Sequence, residues 1–176
     1  MTERMLAADG FLDGVKSLAT RRRKTLILSG YAALTLACCS VMAKVWDNVV
    51  YTFTDSVPAT VLLKTPNVEV GKRDYLLVDV NHSYMPQEIP RVTKTALCLP
   101  GDELSFDGLN FYCEGVWLHR VKPETKLGFP LDAFAWEGGT VPEGFVYFGS
   151  DHPDGFDSRY LGFAPLADVT RLKVLL

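Results

Sequence analysis

The dominant feature of the hydropathy pattern is residues 25–43 (TLILSGYAALTLACCSVMA), nineteen positions without a single charge. As a helix rising ~1.5 Å per residue, this stretch is about 28 Å long, close to the hydrocarbon thickness of a bilayer. A signal-peptide core usually runs only about 7–15 residues, and soluble core helices rarely go this far without a polar face. The pattern predicts one transmembrane helix over 25–43, in which Cys38 and Cys39 are simply small residues. Beyond it, no stretch holds a 3.6-residue period. Short runs rich in Val, Leu, Tyr and Phe recur instead at 60–63, 75–80, 91–99, 111–121, 145–148 and 169–175. Turn signals separate them, among them Pro100-Gly101-Asp102, Asp107-Gly108, Gly138-Gly139 and Pro142-Glu143-Gly144. The expected fold class is therefore mainly β: an N-terminal single transmembrane helix followed by an all-β domain over 44–176.

Charge gives this layout a direction. Residues 1–24 hold six Lys/Arg against three Asp/Glu, and the rest of the chain holds twelve against eighteen. The basic cluster Arg21-Arg22-Arg23-Lys24 abuts the apolar run, and such clusters stay on the cytoplasmic side. The expectation is a cytoplasmic segment over 1–24, a span over 25–43, and a domain over 44–176 in the periplasm of a bacterial inner membrane. A net charge of -3 argues against nucleic acid as a partner, because counterion release needs a basic surface. Membrane lipid is a partner of the span.

The candidate chemistry is sparse. His82, His119 and His152 show no ligand spacing with cysteines or acids, no phosphate loop is present, and neither a metal nor a cofactor is expected. Ser56, His152 and Asp157 could be assembled into a triad, but a chain this size offers such a choice by chance. Lys94 is more informative. In Arg91-Val92-Thr93-Lys94-Thr95-Ala96-Leu97-Cys98, strand alternation puts Val92, Lys94, Ala96 and Cys98 on one face. Desolvation among apolar neighbours penalises the ammonium, so a lysine there can act as a base near neutral pH. The competing reading is a lysine that snorkels at a sheet edge. Ser56 lies in Thr54-Asp55-Ser56-Val57-Pro58, a turn stiffened by Pro58, and a serine nucleophile can take its base from a neutral lysine.

Four segments then follow in order: Ser56-Val57-Pro58; Lys94 ahead of Leu99-Pro100-Gly101-Asp102; Val141-Pro142-Glu143-Gly144 running on to Gly149; and Phe156-Asp157-Ser158-Arg159-Tyr160-Leu161-Gly162. Together they span most of residues 55–162. In this order, behind a basic-flanked span, they resemble the type I signal peptidases, and more closely their short TraF-like relatives from conjugative transfer systems. The resemblance implies Ser56 as nucleophile and Lys94 as general base. It implies the Ser56 N–H and the Thr54 hydroxyl as oxyanion hole, and Asp157 with Arg159 as a supporting salt bridge. It also implies an exported precursor as substrate, such as a conjugative pilin, cut and possibly cyclised through an acyl-enzyme, with type IV secretion components as further partners. The chain departs from the pattern at three places. Gly155 stands where a serine commonly hydrogen-bonds the lysine, Ser150-Asp151 replaces a GDN-like sequence, and Val57 replaces a methionine. Ser150 or Ser158 is available as a substitute for the missing hydroxyl. The alternatives are a catalytically degenerate assembly factor and a general signal peptidase. In an oxidising periplasm, Cys98 and Cys113 can pair as a disulfide across a hairpin-like unit; otherwise they are two buried thiols.

Overall fold

The computed structural model describes residues 2–53, 57–80 and 91–176, with side chains from residue 21 onward. The chain divides into two units, Met1–Asn48 and Val49–Leu176. The first is one helix, α1 (Thr2–Asn48), so the helix does not stop at Ala43 but carries Trp46 before the first strand begins. Its Arg21–Asn48 section is 28 residues long and apolar enough to cross a membrane. Every side chain in that section is exposed, as a lipid-facing helix requires.

The second unit is built from β1 (Val49–Tyr51), β2 (Val61–Lys64), β3 (Tyr75–Asp79), β4 (Arg91–Cys98), β5 (Glu103–Phe106) and β6 (Asn110–Cys113). It continues with β7 (Val116–Arg120), β8 (Gly139–Thr140), β9 (Phe145–Gly149), α2 (Ser158–Leu161), β10 (Ala164–Pro165) and β11 (Val169–Val174). Among the described residues, seven strands form one sheet in the order β1-β2-β11-β3-β4-β9-β10, and four form a second in the order β7-β6-β5-β8. All the pairings among these strands are antiparallel. The apolar run at 111–121 is two strands, because Glu114 (φ 52°) and Gly115 (φ 73°) both adopt left-handed backbone. Two consecutive positive φ values make the tight hairpin turn whose twist matches that of the flanking strands.

β4 lies inside the larger sheet, paired with β3 on one edge and β9 on the other. Its register slips between Ala96, opposite Phe148, and Cys98, opposite Tyr147. A bulge of this kind breaks the strict alternation of faces. Ala96 and Phe148 accordingly pack with Leu76, Val78, Val146 and Ala164. Cys98 packs instead with Leu97, Leu104, Phe111, Cys113 and Tyr147. This corrects the expectation that Cys98 shares the face of Lys94. The Cys98 and Cys113 sulfurs are bonded, with Cα atoms 5.8 Å apart, and they join β4 of one sheet to β6 of the other rather than neighbours in one hairpin.

His119 on β7 sits in the core between the sheets, its Nε2 2.8 Å from the Tyr147 hydroxyl. Burial pushes its pKa from 6.5 down to about 4, against the pull of Asp157 and with the push of Arg159. The unfolded chain therefore takes up this proton at higher pH than the folded one. Stability attributable to His119 is lost as pH falls from about 6.5 towards 4, by up to ~1.4 kcal/mol per pH unit. Unfolding of the detergent-solubilised chain, followed between pH 4 and 7, should show this slope. His119→Gln, which does not titrate, should flatten it; an unchanged slope would assign the acid sensitivity to other groups.

Candidate active site

The β3–β4 ladder sets Lys94 opposite Leu76 and Val92 opposite Val78. Lys94 therefore lies on the sheet face that carries Leu76, Val78 and Ala96, and only 5% of it is exposed. The reading of Lys94 as a lysine among apolar neighbours matches this geometry, whereas a snorkelling edge lysine does not. Burial draws its pKa below the ordinary value; the charge of Asp157 raises it and that of Arg159 lowers it. Loss of the ammonium proton leaves a lone pair able to accept a proton from a hydroxyl.

Asp157 and Arg159 form the polar centre beside this strand, 0% and 1% exposed. Arg159 Nε donates to Asp157 Oδ1 at 2.8 Å and Nη2 to Oδ2 at 2.9 Å, a two-point pairing that fixes both planes. The remaining guanidinium N–H groups donate to the carbonyls of Arg120, His152, Pro153 and Gly155. Asp157 also caps α2, accepting from Arg159 N. Its Oδ2 accepts from Ser150 N at 3.3 Å. Burial alone would lower the Arg159 pKa, but the hydrogen bonds and charge of Asp157 hold it above the ordinary value.

The hydroxyls around this pair differ in their use. Ser158 Oγ accepts from Phe148 N at 2.9 Å, and so joins α2 to β9. Ser150 Oγ is buried without a hydrogen-bond partner. A Cβ on Gly155 would collide with that same oxygen and lie 2.6 Å from Arg159 Nη2. His152 is turned to local work, its Nδ1 accepting from Asp154 N at 3.1 Å. With both oxygens of Asp157 engaged by Arg159 and Ser150, the carboxylate does not orient His152, and the triad of Ser56, His152 and Asp157 gains no support.

Ser56 and Thr54, read as nucleophile and oxyanion donor, lie outside the described residues. Next to them, Val57 is buried with Ala59, Leu62 and Leu172. Among the described residues, Cys98, Asp102 and Cys113 are grouped closely enough for a metal, but the two sulfurs are bonded to each other and are not free thiolates. Asp102 instead accepts from Leu99 N at 2.7 Å, closing the Leu99–Asp102 turn, and pairs with Lys72 at 3.0 Å. Sequence reasoning missed His119 and Tyr147, both close enough to feel the charges of Asp157 and Arg159. The only sequence signal for them was their place on apolar strands.

No protein-family model matches the sequence, and no curated protein matches it. Among solved structures, the chain is similar to a signal peptidase I from Enterococcus faecalis V583, with 27% identity over 62% of this chain and 98% of that one and a TM-score of 0.39.

The buried pair makes a direct prediction. Removing one member strands the other charge in the interior, which typically costs about 3–5 kcal/mol. Asp157→Ala should destabilise the domain by that order in denaturant unfolding. The double variant Asp157→Ala/Arg159→Met should recover part of the loss, because no charge is left uncompensated. A loss below about 1 kcal/mol for Asp157→Ala would show that the pair is not the structural centre described.

Proposed function

We propose that this chain is a membrane-anchored serine peptidase of the signal-peptidase type, working with a Ser56/Lys94 dyad on an exported precursor. The observation that carries the reading is Lys94 itself. It is a buried lysine on the apolar face of a central strand, with its pKa lowered, in a segment followed by Leu99-Pro100-Gly101-Asp102. Stability does not ask for an amine there, whereas general-base chemistry does. The ordered motifs from Ser56 to Gly162 support the assignment, as does the buried Asp157–Arg159 pair within the last of them.

In this mechanism neutral Lys94 takes the Ser56 Oγ proton as the oxygen attacks the scissile carbonyl. The Ser56 N–H and the Thr54 hydroxyl hold the developing oxyanion. Lys94 then returns its proton to the leaving amine, and the acyl-enzyme is released by water as cleavage or by an amine as ring closure. A conjugative pilin precursor fits the motif pattern as substrate. The basic cluster before Thr25 supports a cytoplasmic N-terminus with the β domain on the far side of the inner membrane, where secretion components of a conjugative system would be partners.

Two experiments test this. Ser56→Ala and Lys94→Ala should each abolish cleavage of a co-expressed exported precursor with small residues before its cut site, while the variants stay folded. Lys94→Arg should fail too, because a guanidinium keeps its proton. Cleavage should rise with pH along a limb whose midpoint lies below the ordinary lysine value, since only the neutral amine is a base. Processing by Ser56→Ala would refute the peptidase. For topology, alkaline phosphatase fused after Val50 should be active in the periplasm; activity only for fusions before Thr25 would reverse the orientation.

A further inference from the structure

The Cys98–Cys113 disulfide lies in surroundings that also suit two separate thiols. Asp102 Oδ2 is 3.7 Å from Cys113 Sγ, and the Glu103 carbonyl oxygen is 3.8 Å from Cys98 Sγ. A disulfide has no S–H to donate, so neither contact is a hydrogen bond while the sulfurs are bonded. In the chain before oxidation, each thiol finds an acceptor already within reach.

Cys98 Sγ, Cys113 Sγ and a carboxylate oxygen of Asp102 all lie within 4.8 Å of one another. Three separate pieces of backbone bring them together. Cys98 ends β4 beyond its bulge, and Cys113 ends β6 just ahead of the Glu114-Gly115 turn. Asp102 closes the Leu99–Asp102 turn, where Leu99 N donates to its Oδ2 at 2.7 Å and fixes the carboxylate beside Cys113. An outer hydrogen bond of this kind is what orients a metal-ligating carboxylate.

Opening the S–S bond supplies the remaining geometry, because two thiols cannot stay at bonding distance. A tetrahedral zinc with Zn–S bonds of ~2.3 Å holds its two sulfurs about 3.8 Å apart, close to ordinary contact between unbonded sulfurs. The cysteine Cα atoms, 5.8 Å apart, leave room for that change in the side chains. Cys98 and Cys113 are buried, whereas the Asp102 side chain is 23% exposed, so an ion has an approach from that side. Charge closes as well. Two thiolates, one carboxylate, a divalent cation and the Lys72 ammonium, 3.0 Å from Asp102 Oδ2, sum to zero, as an interior of low dielectric favours.

We propose that the dithiol form of this chain binds one thiophilic divalent cation, zinc by preference, through Cys98 Sγ, Cys113 Sγ and the Asp102 carboxylate. Thiolate donors select zinc over magnesium or calcium, and three protein ligands leave a fourth position for water. Binding exchanges two S–H bonds for two S–Zn bonds and releases both protons to solvent; no electron moves. The ion ties β4 to β6 as the disulfide does, so the two sheets are linked before oxidation as well as after it. None of this depends on Ser56 or on peptidase activity.

The test uses the full chain in detergent micelles carrying Cys38→Ser and Cys39→Ser, which removes the free thiols of α1. After reduction with a phosphine, and its removal under argon, titration with cobalt(II) should saturate at one ion per chain. Sulfur-to-cobalt charge-transfer absorption and the visible bands of tetrahedral cobalt should grow together, and zinc should bleach both. The oxidised chain should show neither. Asp102→Asn should weaken zinc binding by about 10-fold or more, and Cys113→Ser should remove most of the charge-transfer band. Zinc should raise the unfolding temperature of the reduced chain and leave that of the oxidised chain unchanged. Should reduction alone unfold the domain, zinc should refold it. A reduced, folded chain without thiolate–cobalt bands overturns the proposal, as does a reduced chain that stays unfolded with zinc present. Zinc binding by Asp102→Asn as tight as that of its parent overturns the three-donor site.

Discussion

A guanidinium taken out of water must find an acceptor for each of its five N–H groups, and the backbone around Arg159 is arranged to supply them. Two go to the Asp157 carboxylate, and the rest reach carbonyls at the end of β7 and in the loop between β9 and α2. Unmet donors would be costly in this interior. The loop at 150–157 is held in an arrangement in which all of them are met. That arrangement brings Arg120, at the end of the smaller sheet, against the loop that leaves the larger one. It also fixes Asp157 Oδ2 under Ser150 N, so the end of β9 is set by the same pair.

β4 is the second constraint, because it has to serve two cores. Up to Ala96 it faces the cluster of Leu76, Val78 and Phe148; past the bulge, Cys98 faces the cluster of Phe111, Cys113 and Tyr147. The extra residue lets one strand present a lysine to one core and a disulfide half to the other. Constraining a 15-residue separation by a disulfide typically stabilises by ~3 kcal/mol through the unfolded state. Here the link also holds the smaller sheet against the strand that carries Lys94.

Much of this was legible in the sequence where alternation runs undisturbed. Tyr75–Asp79, Arg91–Cys98, Phe145–Gly149 and Val169–Val174 follow the apolar runs closely, and the side on which Lys94 faces follows from period two alone. The face of Cys98 did not, because a bulge has no residue signature in Thr95-Ala96-Leu97-Cys98. β5, β8 and β10 are too short and mixed to register as runs. The Glu114-Gly115 turn passed unread because glutamate rarely takes positive φ. The Asp157–Arg159 pair was expected only through family resemblance. Its burial depends on four carbonyls scattered from residue 120 to 155, a coincidence in space that no local pattern announces. The reason Gly155 accommodates no side chain is likewise spatial, since Ser150 and Arg159 occupy the volume.

The electrostatics of the region follow from keeping the carboxylate paired. A lone buried aspartate near Lys94 would hold the amine protonated and remove its capacity as a base. Arg159 opposes that effect: at Lys94 the pull of Asp157 raises the pKa, the push of Arg159 lowers it, and desolvation is the largest influence. The same opposed pair acts on His119 and on Tyr147, again with burial foremost. An ion pair whose two charges act in opposite directions can thus supply rigid hydrogen bonding while the pull of its carboxylate on the amine is opposed by its guanidinium. The lysine is left to the low-dielectric face on which the strand register puts it, and its basicity is decided by packing.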